Sequence, residues 1–208
     1  MKVLVACEFS GVVREAFRKR GHDAWSCDLL PTDVKGPHIQ GDVIGQLDKG
    51  WDLLVAHPPC TFLTVSANKW HLPEYKDRFP TREQDRAGAI EFFMLFATCG
   101  IPRIAIENPI GIMSSRWRKP NQVVQPWMFG HMETKATCLW LKGLPCLRPT
   151  NNVKAETMAL PRNQRMRLHY LPKTVDRWKL RSVTYWGIAD AMAAQWGTAE
   201  GITLKGRN

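Results

Sequence analysis

The 208-residue sequence lacks any apolar run near the ~18 residues that cross a bilayer, so we expect no membrane partner. Its apolar beginning, residues 1–7, is too short for the core of a secretory leader. The acidic residue Glu8 follows it at once. These features predict a cytoplasmic protein.

The sequence also lacks the cysteine and histidine spacings that are typical of metal sites. The six cysteines include no C-x-x-C pair and have no regular spacing, and the six histidines show no metal-binding pattern. We therefore expect reduced thiols, neither a disulfide framework nor a metal, and a reducing compartment.

Acidic residues are scarce in one stretch. Residues 116–181 contain 14 basic and 3 acidic residues, whereas residues 1–115 contain 13 basic and 14 acidic ones. The whole net charge of +10 therefore lies in this stretch. A polyanion partner is the physical interpretation, because neutralised phosphates release counterions. The alternative is a soluble basic surface without a partner.

The length predicts one domain, residues 1–208. Buried strands are predicted at residues 2–7, 22–28, 51–56 and 103–107, with helices at residues 12–20 and 81–99. Strands that alternate with helices indicate an α/β fold, a Rossmann-like doubly wound and mostly parallel sheet. Residues 116–181 form a small basic insertion, irregular apart from a strand at residues 135–141. A further helix is predicted near residues 188–196.

Chemically active residues follow the predicted strands where ligands of such sheets bind, outside the carboxyl ends. They are Phe9-Ser10-Gly11, Asp28, Asp42, Pro58-Pro59-Cys60 and Glu107-Asn108.

Each of these residues has more than one interpretation. The turn at residues 9–11 lacks a complete G-x-G-x-x-G and is by itself weak as a phosphate loop. Asp28 suits either a ribose or solvent. Cys60 is either a core thiol or, after two rigid prolines, a nucleophile with Glu107 as its proton donor.

Taken in order, the motifs Phe-Ser-Gly, strand-end acid, Gly-Asp-Val, Pro-Cys and Glu-Asn resemble the DNA (cytosine-5) methyltransferase family, most closely its short phage-type members. The resemblance implies an S-adenosylmethionine-dependent methyltransferase fold, in a bacterial or phage-infected cell. It implies S-adenosyl-L-methionine as cofactor, bound by Phe9, Ser10, Gly11, Asp28 at the ribose, and Asp42 with Val43 at the adenine.

The resemblance also implies a reaction at cytosine C5 in double-stranded DNA. Cys60, presented by Pro59, would add to C6 of a flipped-out cytosine, while Glu107 and Asn108 contact the ring at N3. Methyl transfer to C5 and loss of the C5 proton would then release Cys60.

Two later motifs are altered. Phe129-Gly130 with Lys135 and Thr137 resembles the family's Phe-Gly…Gln-x-Arg-x-Arg segment, with both arginines replaced. Gly187-Ile188 resembles the motif that returns to the cofactor side, within a C-terminal segment at residues 182–208, but Ile188 replaces its asparagine.

Nucleic-acid contacts are predicted at two places. One is a mobile loop over the base, residues 68–78, through Lys69 and Arg78. The other is the basic stretch, where Lys135, Thr137, Arg162, Arg165 and Arg167 are the candidates. His57 is predicted to be a packing or loop residue.

Three alternatives remain open. An amino-methyltransferase also places Pro-Pro after this strand, but it needs a polar acceptor and an aromatic surface there. The same Cys60 chemistry could act on RNA or a free nucleotide. A catalytically inactive, methyltransferase-like nucleic-acid-binding protein would fit the altered Lys135 and Thr137.

Overall fold

The computed structural model describes residues 1–198. Its strands are β1 (Lys2–Ala6), β2 (Asp23–Asp28), β3 (His38–Gln40), β4 (Leu53–Ala56), β5 (Arg103–Pro109), β6 (Gln122–Val124) and β7 (Thr137–Lys142). They form one sheet in the order β3-β2-β1-β4-β5-β7-β6. The first five strands are parallel, while β7 runs antiparallel to both β5 and β6.

The central strands are buried on both faces, as their unbroken apolar sequences predict. All four residues of β4 are inaccessible to solvent, and so are Val3 to Ala6 of β1. In register, Ala56 at the end of β4 lies opposite Ile106 of β5. The residues that follow these two positions, His57 and Glu107, are therefore neighbours at the edge of the sheet.

The helices are α1 (Val12–Arg18), α2 (Arg82–Thr98), α3 (Met113–Arg116), α4 (Lys154–Ala159), α5 (Arg162–Arg165), α6 (Arg167–Tyr170), α7 (Arg177–Ser182) and α8 (Trp186–Trp196). Apolar residues of α1 and α8 join one core cluster with Val3 and Val55. Phe93 and Phe96 of α2 join the second cluster with Leu4 and Leu54. Since alternate residues of a strand face opposite sides, helices cover both faces. The predicted Rossmann-like doubly wound, mostly parallel fold is confirmed.

The basic insertion is more regular than predicted. Besides the expected strand, found at Thr137–Lys142, it contains β6 and the four short helices α4 to α7. Prolines follow two of these helices closely and prevent their extension: Pro161 comes after α4, and Pro172 comes after α6. The expectation of an irregular segment was wrong in this respect.

A fully buried arginine fixes the segment after β2. The Arg14 guanidinium donates to the Ser26 hydroxyl at 2.9 Å and to the Val34 carbonyl at 2.6 Å, and it pairs with Glu15 at 2.8 Å. Because these acceptors satisfy the buried charge, Arg14 ties α1, β2 and the chain beyond Asp28 together.

The predicted C-terminal helix is confirmed as α8, which packs against α1. The rest of the predicted segment, residues 199–208, lies outside the described residues. None of the helices described between residues 1 and 198 is long and apolar enough to cross a membrane.

Candidate active site

A cleft of about 730 Å³ opens at the carboxyl ends of β1, β4 and β5. We call one group of its lining residues the cleft floor: His57, Cys60, Glu107 and Asn108. The cleft rim comprises Trp70, Arg82, Trp178 and Arg181. Phe9, Ser10 and Lys135 also line this cleft. The structure thus brings the predicted Phe-Ser, Pro-Cys and Glu-Asn residues to one cavity.

Cys60 is solvent-accessible and lies where the rigid Pro58-Pro59 segment leaves β4. Its carbonyl accepts hydrogen bonds from the Leu63 and Thr64 amides, both at 3.0 Å, which curls the chain immediately after the thiol. Poor hydration within the cleft raises the pKa of the Cys60 thiol, and the Glu107 charge raises it further. The charges of Lys135 and Arg181 oppose that rise. The resting side chain is therefore a thiol beside cations that favour its thiolate.

Glu107 is paired with His57, since the imidazole Nδ1 and the carboxylate Oε2 are 2.9 Å apart. Only 9% of the His57 side chain and 17% of the Glu107 side chain are exposed. Burial alone would raise the pKa of the Glu107 carboxyl, but the hydrogen bond and charge of His57, with Lys135, hold it below its usual value. Glu107 is therefore ionised at rest.

A second carboxylate, that of Glu8, interacts with the His57 charge. Glu8 is buried at the end of β1 and accepts hydrogen bonds from the Val13 amide at 2.6 Å and the Arg14 amide at 3.2 Å. Burial raises the pKa of Glu8, whereas the His57 charge and these amides lower it. Glu8 thereby satisfies the first turn of α1 and anchors the Phe9-Ser10 turn.

The Asn108 side chain makes a hydrogen bond within the protein. Its side chain is buried, and its amide donates to the Pro58 carbonyl at 2.8 Å. This bond ties the end of β5 to the loop that carries Cys60.

The chain beyond Cys60 is also joined to the chain beyond Asn108. The Leu63 carbonyl accepts from the Ile112 amide at 2.8 Å, and the Val65 amide donates to the Ile110 carbonyl at 3.1 Å. Gly111 lies between these two bonds, where a β-carbon would collide with the Leu63 carbonyl. Glycine is therefore needed for this close approach.

The predicted cofactor residues lie around the end of β1. Gly11 has a φ of 72°, a left-handed conformation that glycine adopts freely. The Asp28 carboxylate accepts from the Leu30 amide at 2.9 Å, and that of Asp42 accepts from the Ile44 amide at 3.0 Å. Both charges contribute, after burial, to the raised pKa of Cys7 in the cleft wall, so both carboxylates lie near it.

Val43, Gly187 and Ile188 have packing roles in the structure. Val43 and Ile188 are buried in the two core clusters. The Gly187 amide donates to His131 Nε2 at 3.1 Å, and a β-carbon at this position would collide with the Phe129 carbonyl.

Within the basic insertion, Lys135 points toward the cleft and donates through Nζ to the Arg181 carbonyl at 2.8 Å. Thr137 is buried and donates to the Lys135 carbonyl at 3.2 Å. Lys135 is therefore held close to Glu107 and Cys60, where its charge acts on both.

The predicted backbone-binding arginines have contacts of their own. Arg167 forms two hydrogen bonds with Glu133, at 2.8 and 3.1 Å. Arg165 donates to the Met158 carbonyl at 3.1 Å, and Arg162 contacts the Met166 sulfur at 3.4 Å. All three thus organise the insertion.

The predicted loop at residues 68–78 overlaps two 3-10 helices, Val65–His71 and Pro73–Tyr75. It is attached to α2, because His71 pairs with Glu83 at 2.7 Å and Arg86 donates to Asn68 at 3.2 Å. Lys69 Nζ lies 4.3 Å from the centre of the Trp70 ring at the cleft rim, and Arg78 lies over Phe79.

Sequence reasoning missed several residues of the cleft. His57 was expected to pack, yet it follows a strand end just as Cys60 does, and that rule would have found it. Of the rim residues, Trp70 lies within the predicted loop at residues 68–78, whereas Arg82, Trp178 and Arg181 carried no comparable signal. Trp178 lies in the insertion, far along the chain from Phe9, and the two rings meet edge to face at 5.9 Å.

Within residues 1–198, no group of three or more His, Cys, Asp or Glu side chains is arranged to hold a metal ion.

No protein-family model and no curated protein matches the chain. Among solved structures, the chain is similar to a protein described provisionally as a DNA modification methyltransferase encoded within a prophage (E. coli). The sequence identity is 16% and the TM-score 0.46, and the match covers 78% of this chain. It covers 56% of the other chain, so this protein matches little more than half of that structure.

Proposed function

We propose that the protein is an S-adenosylmethionine-dependent methyltransferase that methylates C5 of cytosine in DNA through Cys60. The observation that carries the proposal is the meeting of Phe9-Ser10, Cys60 and Glu107 in one cleft. They reach it from the ends of three adjacent parallel strands, where a cofactor and a reactive base can lie side by side.

The residues around β1 fit an adenosyl cofactor. The left-handed Gly11 allows a tight turn beside Phe9 and Ser10 at the cleft wall. The Asp28 and Asp42 carboxylates can accept hydrogen bonds from ribose hydroxyls and an adenine amino group. When bound, S-adenosylmethionine supplies an electrophilic methyl group.

The floor residues can activate a cytosine by moving one proton. The resting pair is a Cys60 thiol and a Glu107 carboxylate, whereas the reaction needs a thiolate at C6 and a proton donor at N3. A base in the cleft excludes water and so favours a neutral Glu107. The charges of Lys135 and Arg181 favour the thiolate. Transfer of the thiol proton to Glu107 therefore creates both reactive groups.

The basic insertion supports DNA as the substrate. Lys135 and Arg181 line the cleft, and the insertion carries the whole excess of positive charge. Such a surface attracts phosphates without reading their sequence. A cytosine in duplex DNA must leave the helix to reach Cys60, and the cleft has room for a flipped nucleotide.

The test is covalent trapping. Duplex DNA of varied sequence, carrying 5-fluorocytosine in place of cytosine, is incubated with the protein and S-adenosylmethionine, and adducts are resolved on a denaturing gel. We expect an adduct that needs the cofactor and disappears in Cys60→Ser. Cys146 is another exposed cysteine, so Cys146→Ser is the matched control and should trap normally.

The proposal is wrong if Cys60→Ser still forms the adduct. It is also wrong if the wild type never traps while calorimetry shows that it binds S-adenosylmethionine. Parallel reactions with RNA and with free fluorinated nucleotide identify those substrates. Methyl transfer to adenine or to the cytosine amino group would identify an amino-methyltransferase.

A further inference from the structure

His57 interacts with two carboxylates, those of Glu107 and Glu8, and the proposed chemistry uses only the first. Its Nδ1 contacts Glu107 Oε2, and the charge of the ring also acts on Glu8 at the end of β1. Its Nε2 atom is buried and makes no hydrogen bond within residues 1–198. Only 9% of the His57 side chain is exposed, and burying a polar atom without a hydrogen-bond partner costs free energy. A functional role for the ring would explain why this cost is accepted.

The hydrogen bond fixes which atom carries a proton. Because Glu107 is ionised at rest, its Oε2 can only accept, so the hydrogen lies on His57 Nδ1. The ring therefore presents one defined donor to Glu107, and that donor occupies one defined oxygen, Oε2. Proton exchange is left to the other oxygen, Oε1.

The charged groups around the pair come from three strands. Lys135 and Thr137, from the start of β7, act on Glu107 together with His57. Cys60 follows the same strand as His57, and its thiol interacts with the Glu107 charge. Glu8 approaches from β1 and is itself held by two amides of α1.

We propose that His57 is the positioning residue of Glu107: by donating from Nδ1 to Oε2, it makes Oε1 the oxygen that carries a proton from Cys60 to cytosine N3. This deepens the proposed function and rests on it. In the first step the S–H bond breaks and the Oε1–H bond forms. In the second, the sulfur bonds to C6 as the C5–C6 π electrons shift to C5–C4. The C4–N3 π electrons then form the N3–H bond as the Oε1–H bond breaks. His57 keeps its Nδ1 hydrogen throughout.

The first test detects the hydrogen bond between His57 and Glu107 by NMR, without any reaction. The protein is labelled with 15N-histidine, and the imidazole resonances are assigned with His57→Asn and His71→Asn. We expect a protonated His57 Nδ1 whose resonance moves in Glu107→Gln and stays in place in Glu83→Gln. His71, which pairs with Glu83 at 2.7 Å, should respond in the opposite way and is the matched control. A deprotonated Nδ1, or one indifferent to Glu107→Gln, would overturn the proposal.

The second test measures trapping rate against pH. His57→Phe removes the donor, so we expect the rate to fall ~10²-fold, as misplaced catalytic groups do. The limb of the pH–rate profile that reports the pKa of Glu107 should move to higher pH, because His57 is the main contact that lowers this pKa. In His57→Asn the amide nitrogen can replace Nδ1 as the donor but carries no charge. Most of the rate should therefore return, while the limb should lie between those of the wild type and His57→Phe.

Comparing His57→Phe with His57→Asn distinguishes a positioning role of His57 from a packing role. Equal rates and equal limbs in the wild type and His57→Phe would overturn the role of His57, whereas a wild type that never traps counts against the proposed function. The resonance test decides the pairing in either case. Circular dichroism and melting curves confirm that each variant is folded. His71→Asn should leave the pH profile unchanged.

Discussion

The floor and the rim of the cleft hold their side chains by different means. Floor residues leave adjacent strands of the sheet, and buried hydrogen bonds such as that of Asn108 to Pro58 fix their positions. Three of the four rim residues come from short helices: Trp178 and Arg181 are exposed on α7, and Trp70 lies in a 3-10 helix. The fourth, Arg82, is the first residue of α2. A site that performs chemistry needs the first arrangement, and a surface that grips a long, uniform polymer can use the second.

The two regions also differ in charge. The floor combines the Glu107 carboxylate with the His57 imidazole and the Cys60 thiol, so that protons can be moved between defined atoms. The rim and the adjoining insertion carry cations whose partners can be solvent, backbone carbonyls or phosphates. Substitutions should therefore act on stability and proton chemistry at the floor, and on affinity and its salt dependence at the rim.

The largest expected effect is that of Asn108→Ala at the floor. This substitution leaves the Pro58 carbonyl without its donor in a buried site, so the free energy of unfolding should fall by about 2 kcal/mol. Urea unfolding measures the loss. Asn68→Ala is the matched control, because Asn68 is exposed beside the rim and accepts a hydrogen bond from Arg86. Its cost should stay within about 0.5 kcal/mol. Equal costs would remove the distinction between floor and rim.

A smaller effect is expected in acid. The pKa of Glu107 is lowered in the folded protein, so its carboxylate stabilises the fold above about pH 4.5, the ordinary value, and this contribution disappears as the pH falls further. The stability difference between the wild type and Glu107→Gln should therefore shrink between pH 6 and pH 3. Melting curves across this range provide the measurement.

The exposed Glu91→Gln is the control for the acid series. It should show no such pH-dependent difference from the wild type. A constant difference in Glu107→Gln would mean that the His57 pair does not hold the carboxylate ionised.

The smallest effect is expected at the rim. Lys69 lies over Trp70, so its charge is close to the path of a nucleic acid that enters the cleft. Lys69→Gln should leave stability unchanged and reduce the slope of log affinity against log salt by ~0.9, one phosphate contact. Fluorescence anisotropy with duplex DNA measures the slope. Lys49→Gln, next to Asp48, is the control, and an equal change there would mean that the slope reports net charge alone.

The sequence predicted those parts of the fold that local pattern decides. The apolar strands β1, β4 and β5 were found because burial on both faces leaves them without polar interruptions. The strand-end rule then placed Cys60 and Glu107 at one edge, and the cleft contains both. Neither inference needed to know which strands are neighbours.

What could not be predicted depends on distant contacts. The burial of Arg14 is possible only because acceptors from β2 and residue 34 surround it, and no local pattern reveals them. The short helices α4 to α7 are too brief for periodicity to identify, and tertiary contacts stabilise them. The same holds for Trp178, whose partner Phe9 lies at the other end of the chain.

The close approach of Leu63 to Gly111 has a consequence for motion. The strands β4 and β5 are paired along their length, Asn108 joins their ends, and the bonds on either side of Gly111 join the chains beyond them. The backbone segments that carry the thiol and the carboxylate are therefore held together, and neither can move independently of the other. In the proposed reaction, any closure over a bound base must come from the opposite wall, with the rim moving onto these two fixed groups.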